Sequence, residues 1–565
     1  MTERRNIAVG RLLIGLAQGV TLFGLHHAEQ EKLWPAGMAA LYGALILTAG
    51  FAPAVLLAGI GALRRRTLIL TFAGAALFTL FMGGYGVWRN PMDYSTPRLF
   101  PGPEFTLTAA VALFVAYHLV EPADAARRRI APYAAYFETA WKRGVQLALS
   151  VGFTGVFWAL LFLGASLFEV IGIRFFIETI RTAEFAYTVT PVVFAAAVHL
   201  ADVRGAMIQG VRTMVLTLLA WLLPLLTLIV AGFLASLPFT GVNSLWSTRS
   251  AGGLMLAAAA NLIILINAAW QDGEEAPHRI LGVAVRVASF LLAPLAGLAA
   301  WALALRIGQY GLSPERIIAA ACTLIASGYA VGYIAAVARR TAGLTGLGRT
   351  NIAMAFVLLG LIAALFSPIA DPMRLSVNDQ LHRLHKGKIS AEAFDYDFLR
   401  FQSGRFGRKA LEGLARGDDA TVAAWAKAAL QRKTPLTKAP IPFPRSSKLN
   451  ILPEGRSLPI GFPPGAISCI GDKPCDVLLH DVNGDGREDV LAFEGGSAVA
   501  YLAAPEGGWP RAGKFISLCA WEREPSLADL VEQGRIQSVD RTVKDLLVDG
   551  RRMRFDPEST NCPTR

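Results

Sequence analysis

A polytopic α-helical membrane protein, with a C-terminal α-then-β region outside the bilayer, is the fold class this sequence predicts. The chain of 565 residues is 54% hydrophobic and only 17% charged, whereas soluble domains carry about a quarter charged residues. Its apolar residues gather into about eleven runs that approach the roughly 20 residues a helix needs to cross hydrocarbon. Polar residues take over after Asp371, and four of the 5 cysteines lie in that part. The net charge of +12 fits the Lys and Arg excess of cytoplasmic loops. No basic patch interleaved with aromatics points to nucleic acid.

Taken in order, the N-terminus MTERRNIAVGRLLIGLAQGVTLFGLHH joins a basic start to an apolar run. It has no small-x-small cleavage site, so it is expected to stay as the first transmembrane helix. The apolar cores are 8–25, 36–60, 68–88, 105–120, 145–171, 189–200, 214–237, 254–270, 287–305, 317–337 and 352–369. With the N-terminus inside, the cytoplasmic ends carry Arg4, Arg5, Arg64, Arg65, Arg66, Arg127, Arg128, Arg129, Lys142, Arg143, Arg204, Arg212, Arg279, Arg286, Arg339, Arg340 and Arg349. The opposite loops hold Lys32, Arg89, Arg98, Arg174, Arg181, Arg249, Arg306 and Arg316. That bias, about two to one, sets an N-in orientation. Eleven crossings of a bacterial inner membrane then leave everything after residue 370 in the periplasm.

The cysteines reach the same side by a separate route. Cys469, Cys475, Cys519 and Cys562 cluster in one polar segment, which suggests disulfides and an oxidising compartment. Cys322 lies in an apolar run and is expected to be an inert packing residue.

One cytoplasmic loop, 123–144, mixes Arg127, Arg128, Arg129, Lys142 and Arg143 with Tyr133, Tyr136, Phe137 and Trp141 at helical spacing. It is expected to lie flat at the headgroup level, as a plain connector or as a reader of anionic lipid. Residues 371–433 show apolar positions three to four apart, with Ser376, Ser390 and Thr421 as caps. A Pro-rich linker, 434–447, follows. Residues 448–565 read as a small β domain, with a hairpin around Asp549-Gly550.

The most specific motif is HDVNGDGREDV, residues 480–490. Calcium takes six to eight oxygens, and a turn that aims alternate side chains inward supplies them. Asp481, Asn483 and Asp485 fit the first three ligand places, Arg487 offers its carbonyl, and Asp489 closes the site. Gly486 permits the sharp turn. An EF-hand needs a glutamate where Ala492 stands, and helices where DVLLH and DVLAF read as strands. A D-x-N-x-D-G-x-x-D loop between strands resembles the calcium loops of extracellular FG-GAP and VCBS-type β repeats, over residues 475–504. That resemblance implies a structural calcium ion clamping a hairpin. One copy stands where those families repeat the loop. A plain acidic Asn-Gly/Asp-Gly turn is the other reading.

The stretches FETAWKRGVQLALSVGFTGVFWALLFLGASLFEVIGI and RIGQYGLSPERI resemble bacterial multi-pass inner-membrane proteins known only as a domain of unknown function. The resemblance spans most of residues 1–370 and implies no activity and no catalytic residues. Within it, Ser313-Pro314-Glu315 reads as a capped helix start.

Polar groups inside apolar runs mark sites or pathways by default. Here they are Gln18, His118, Glu169, His199, Asp202, Asn261 and Asn267. Glu169 leads as a candidate for an ion-coupled pathway, and His199 and Asp202 share a helix face. The plain alternative is that all of them sit at interfaces or tie neighbouring helices together.

Other motifs fail on their chemistry. GLTGLGRT at 343–350 has Arg349 where a P-loop needs lysine, and no strand precedes it. HHAEQE at 26–31 and the His382/His385 pair lack a remaining metal-ligand set. With no catalytic constellation, the chain is not expected to be an enzyme. The leading expectation is a membrane-anchored periplasmic binding, sensing or scaffold protein, stabilised by calcium and disulfides, with the bilayer and an envelope component as partners. The alternative is an ion-coupled transporter or a lipid or envelope-precursor handling protein. Pro53, Pro191, Pro224 and Pro294 interrupt apolar runs, but no internal repeat accompanies them.

Overall fold

The computed structural model describes residues 2–90, 99–241, 251–274, 277–339, 344–391, 393–431, 449–459, 462, 467, 475–494, 497–503, 509–516, 533, 546–548 and 551–553. The chain divides into two compact units, Met1–Lys433 and Thr434–Arg565.

In the first unit, 11 of the described helices are long and apolar enough to cross a membrane, which marks the chain as a membrane protein. They are α1 (Thr2–Gln30), α2 (Ala39–Gly59), α3 (Arg65–Trp88), α4 (Pro103–Ala125) and α5 (Tyr133–Val170). After the short α6 (Phe175–Ile180) come α7 (Ala183–Val203), α8 (Gly205–Thr240), α9 (Ala251–Trp270), α10 (Arg279–Tyr310), α11 (Pro314–Ala338) and α12 (Gly346–Leu365). Pro53, Pro191, Pro224 and Pro294 all fall inside helices and do not end them. Ser313 caps α11 by accepting from the Arg316 amide (3.4 Å), with Pro314 in the first turn.

Outward faces keep Leu218, Trp221, Leu225 and Leu228 exposed, as a hydrocarbon-facing helix allows. Inward faces pack through small residues, since only these let helix backbones close up. A Cβ on Gly83 would run into the Gly43 carbonyl, and one on Gly15 would lie 2.7 Å from that of Pro191. These glycines bring α2 against α3 and α1 against α7. Helices α8 to α11 share one large core, centred on Leu223, Leu262, Val285 and Tyr333.

Two expectations need correction. Residues 133–144 do not lie flat on a surface. They are the first three turns of α5, continuous with its span, and bury Tyr136, Phe137 and Arg143. Cys322 is a free thiol exposed on α11, not packed inside.

After the last span the chain forms α13 (Pro372–His385), a π-helical turn (Phe398–Gln402), α14 (Gly404–Leu414) and α15 (Ala420–Gln431). These share a core of Val377, Tyr396, Leu399, Leu411, Val422 and Ala426 and belong to the same compact unit as the bundle. Helix α13 is bonded to the α10–α11 turn: Ser376 Oγ donates to the Leu312 carbonyl (2.8 Å), and Asp379 accepts from the Leu312 amide (2.7 Å).

The second unit holds a five-stranded sheet in the order β1-β2-β3-β4-β5, with strands Leu449–Leu452, Cys475–His480, Asp489–Glu494, Ser497–Tyr501 and Arg511–Ile516. Strands β1 and β2 run parallel and the rest antiparallel. Side chains alternate across the sheet: Val477, Leu479 and Val490 enter one core, and Leu478, Leu491 and Ala500 the other. Strands β6 (Leu546–Val548) and β7 (Arg551–Met553) pair antiparallel, and the expected turn at Asp549-Gly550 lies outside the described residues.

Candidate functional site

The helices alternate, so contacts divide the bundle into a near end, where α1 begins, and a far end, where α13 begins. At the near end two guanidinium groups meet two carboxylates. Arg11, on α1, is 1% exposed. It donates to the carbonyls of Leu57 (3.0 Å) and Ile60 (3.4 Å), to Asp202 Oδ2 (2.9 Å), and to His199 Nδ1 (3.4 Å). Arg143, on α5, is held in a two-toothed grip by Glu121 (2.8 and 3.0 Å), donates to Gln146 Oε1 (2.8 Å), and lies 3.5 Å from Asp202 Oδ1. The cluster is charge-balanced. Balance is what a low-dielectric setting demands, because an unpaired ion there is expensive.

Beside this cluster an open cavity of about 710 Å3 lies among α1, α2, α4, α5 and α7. Its walls are apolar, from Leu22, Phe51, Leu113, Phe114, Trp158 and Phe194, and polar groups reach it from Gln18, His118, Arg143 and Gln146. Leu147 and Val151 of its α5 wall are exposed. Gln18 is spent on the Ala49 and Gly50 carbonyls (3.0 and 2.9 Å). His118 Nδ1 faces the Phe114 carbonyl, so that nitrogen carries the hydrogen. Its Nε2 is buried with no partner among the described residues and is closed to water-sized contact.

Another polar cluster closes on itself. Asn351 donates to Tyr133 (2.9 Å) and to Asn267 Oδ1 (2.6 Å), Asn267 donates to Tyr333 (2.9 Å), and Tyr333 donates to Asn351 Oδ1 (2.6 Å). With its members satisfied, this ring ties α5, α9, α11 and α12 together. Asn261 is exposed and bonded to its own helix at Ala257 (2.9 Å). Glu169 is exposed at the last turn of α5, away from the near-end cluster. The structure therefore brings together His118, His199 and Asp202 of the sequence candidates, and leaves Glu169 and Asn261 apart. It adds Arg11, Glu121 and Arg143.

In the second unit the β2–β3 loop carries the acidic motif. Asp481 accepts from the amides of Gly484 (2.7 Å) and Gly486 (2.8 Å), and Asp485 accepts from Arg487 N (2.9 Å). Gly484 and Gly486 have φ of 74° and 80°, the left-handed region that glycine enters freely. Asp489 sits differently from Asp481 and Asp485. It is 0% exposed, and its two oxygens take the amides of Val482 (3.1 Å) and Ala503 (2.9 Å). It latches the loop to the segment that follows β4, whereas Asn483, Asp485 and Arg487 are exposed. Among the described residues no group of three or more His, Cys, Asp or Glu side chains is arranged to hold a metal. The amides, Gly486 first, hold the Asp481 carboxyl below its usual range. A depressed carboxylate adds stability above its ordinary pKa, and that stability fades as pH falls through the lowered value. Cys475 is buried at the start of β2; Cys469, Cys519 and Cys562 lie outside the described residues.

Compared with known proteins, residues 14–416 match the family described as a domain of unknown function, DUF4153. No curated protein and no solved structure matches the chain.

Proposed function

The chain belongs to the DUF4153 family, and from that premise we propose that it binds an uncharged, lipid-like amphiphile inside its membrane-spanning bundle. The observation that carries this reading is the open cavity of about 710 Å3, mostly apolar in its walls and charge-balanced at its near end. Apolar clefts with a few convergent polar groups are the usual form of ligand sites. Arg143 is already matched by Glu121 and Asp202, so an anionic headgroup would unbalance the cluster. An uncharged headgroup leaves that balance intact while its chains run along the aromatic wall. This favours lipid handling over a scaffold that merely uses the bundle as an anchor.

Gly155 lines the cavity, and a Cβ added there meets open space. Gly155→Trp should therefore fill the cavity without disturbing the helices. Native mass spectrometry of the whole protein with diacylglycerol should show severalfold less retained lipid in the variant, at an unchanged melting temperature. Equal retention would sink the reading.

The charge bias favours an N-terminus in the cytoplasm of a bacterial inner membrane and the second unit in the periplasm. There a calcium ion on Asp481, Asn483, Asp485 and the Arg487 carbonyl, together with disulfides, would stiffen the sheet. Calcium added to the full chain should slow protease cleavage within 449–516, and Asp485→Ala should abolish that protection. Run down in pH, the same assay should show protection failing below the ordinary carboxylate range. Identical cleavage with calcium and with chelator would remove the ion from the account.

A further inference from the structure

A groove of about 1020 Å3 at the far end of the bundle is separate from the cavity and opposite to it in electrostatic character. It runs between the end of α3 and helices α13 and α14. Arg374, Arg405, Arg408, Lys409 and Arg416 line it against one carboxylate, Glu412. Glu412 is engaged with Arg408 (3.0 Å), and its carbonyl accepts from Arg416 (3.0 Å). Among the described residues that line the groove, cations outnumber carboxylates, whereas the near-end cluster is balanced.

The floor of the groove is apolar and aromatic. Trp88, the last residue of the α3 span, is 41% exposed and stacks under the Arg405 guanidinium at 5.0 Å. Phe406 meets Trp88 edge-on at 6.3 Å, and Val377 and Leu381 complete the floor. The Arg405 amide donates to the Arg89 carbonyl (2.9 Å), which fixes α14 to the end of α3. A tryptophan at the end of a span marks the headgroup level of a bilayer, so the cations rise from that level.

Arg374, partly buried, lines the groove and is steadied by its Nη2, which donates to the Ile369 carbonyl (2.8 Å). Arginine forks suit phosphate oxygens, which they hold with two parallel N–H bonds.

We propose that this groove binds a phosphate-bearing ligand, with its anionic oxygens on Arg374, Arg405 and Lys409 and any acyl chain running over Trp88 toward the bilayer. The chemistry is that of a phosphomonoester or diester, drawn from a lipid headgroup or from free phosphate. The proposal does not depend on the cavity at the near end.

The test uses the full chain in an uncharged detergent and carries Gly155→Trp throughout, so that any failure of the cavity is kept apart. The probes are phosphatidic acid, diacylglycerol with the same chains, and inorganic phosphate, with binding read by native mass spectrometry. Arg405→Gln with Lys409→Gln should weaken phosphatidic acid retention by about tenfold or more, which is the scale of losing charge-assisted contacts. Diacylglycerol retention should not move. Trp88→Ala should reduce phosphatidic acid retention only if the ligand is a lipid, while competition by inorganic phosphate at equal strength assigns the free ion. Since the double variant touches exposed side chains, its melting temperature should match the parent. Unchanged phosphatidic acid and inorganic phosphate binding in that folded variant overturns the proposal.

Discussion

Arg143→Met is expected to destabilise the first unit by about 3 to 5 kcal/mol, the usual consequence of removing one partner from a buried ion pair. The Arg143 side chain is 7% exposed and Glu121 only 15%, so the carboxylate it leaves behind has little water to fall back on. Asp202 keeps Arg11 at 2.9 Å, but Glu121 loses both of its bonds to Arg143. Methionine matches the arginine stem in bulk, so lost packing contributes little. Arg143→Lys should recover only part of the loss, because an ammonium cannot make the two parallel bonds of a guanidinium. The decisive variant is the double change Arg143→Met with Glu121→Leu, in which no charge is orphaned. Thermal unfolding of the detergent-solubilised protein should show the single variant well below wild type and the double variant well above the single. If the single and double variants melt together, packing and not charge pairing holds this corner of the bundle.

Much of the architecture was legible in the sequence because hydrocarbon imposes a simple code. Eleven apolar runs became 11 helices of spanning length among the described residues, and the prolines inside them did no harm because neighbouring helices support the backbone. The near-end cluster was harder to see. Arg143 reads as an ordinary cytoplasmic-side charge in the sequence, and only the fold shows that it faces Glu121 and Asp202. Those three, with Arg11, come from four different helices, and no local spacing links them. One signal was present: Arg11 interrupts the apolar run IAVGRLLIGLAQ, and an arginine within such a run requires a partner. His199 and Asp202, three apart on one face, were the readable half of that pair.

The misreading of 133–144 has a related cause. Basic and aromatic residues at helical spacing describe an interfacial helix and the first turns of a long span equally well. Which one forms depends on whether Phe137 and Arg143 find partners in other helices, and here both do. Asn267 was visible as a polar residue in an apolar run, whereas Tyr133, Tyr333 and Asn351, which complete its ring, carry no warning of their own. Asp371 looked like a mere boundary between grease and polar chain. It is instead the best-buried carboxylate at the far end.

Asp371→Ala should therefore produce the other large effect, and a localised one. Asp371 is 0% exposed. It caps α13 through the amides of Met373 (2.8 Å) and Arg374 (3.2 Å). It also accepts from the Tyr85 hydroxyl (2.7 Å) and lies 3.4 Å from the Arg89 guanidinium. Loss of the cap alone is worth about 1 kcal/mol. Stranding Arg89, whose side chain is 6% exposed, and the Tyr85 hydroxyl raises the total to about 3 to 5 kcal/mol. Glu104 still holds Arg89 at 2.8 Å but is itself 46% exposed, so it offsets only part of this. Because Asp371 joins α13 to α3, the damage should appear where those elements meet. Amide exchange should accelerate across residues 372–431 and at the end of α3, while amides near Arg143 keep their protection. Asp371→Asn keeps one oxygen for the cap but puts an NH2 donor where Oδ2 accepts from Tyr85 and faces Arg89, so it should fall between the alanine variant and wild type. Uniform acceleration across all eleven spans would mean that Asp371 supports the whole bundle; no acceleration anywhere would mean that α13 is held by Ser376 and Asp379 on the α10–α11 turn instead.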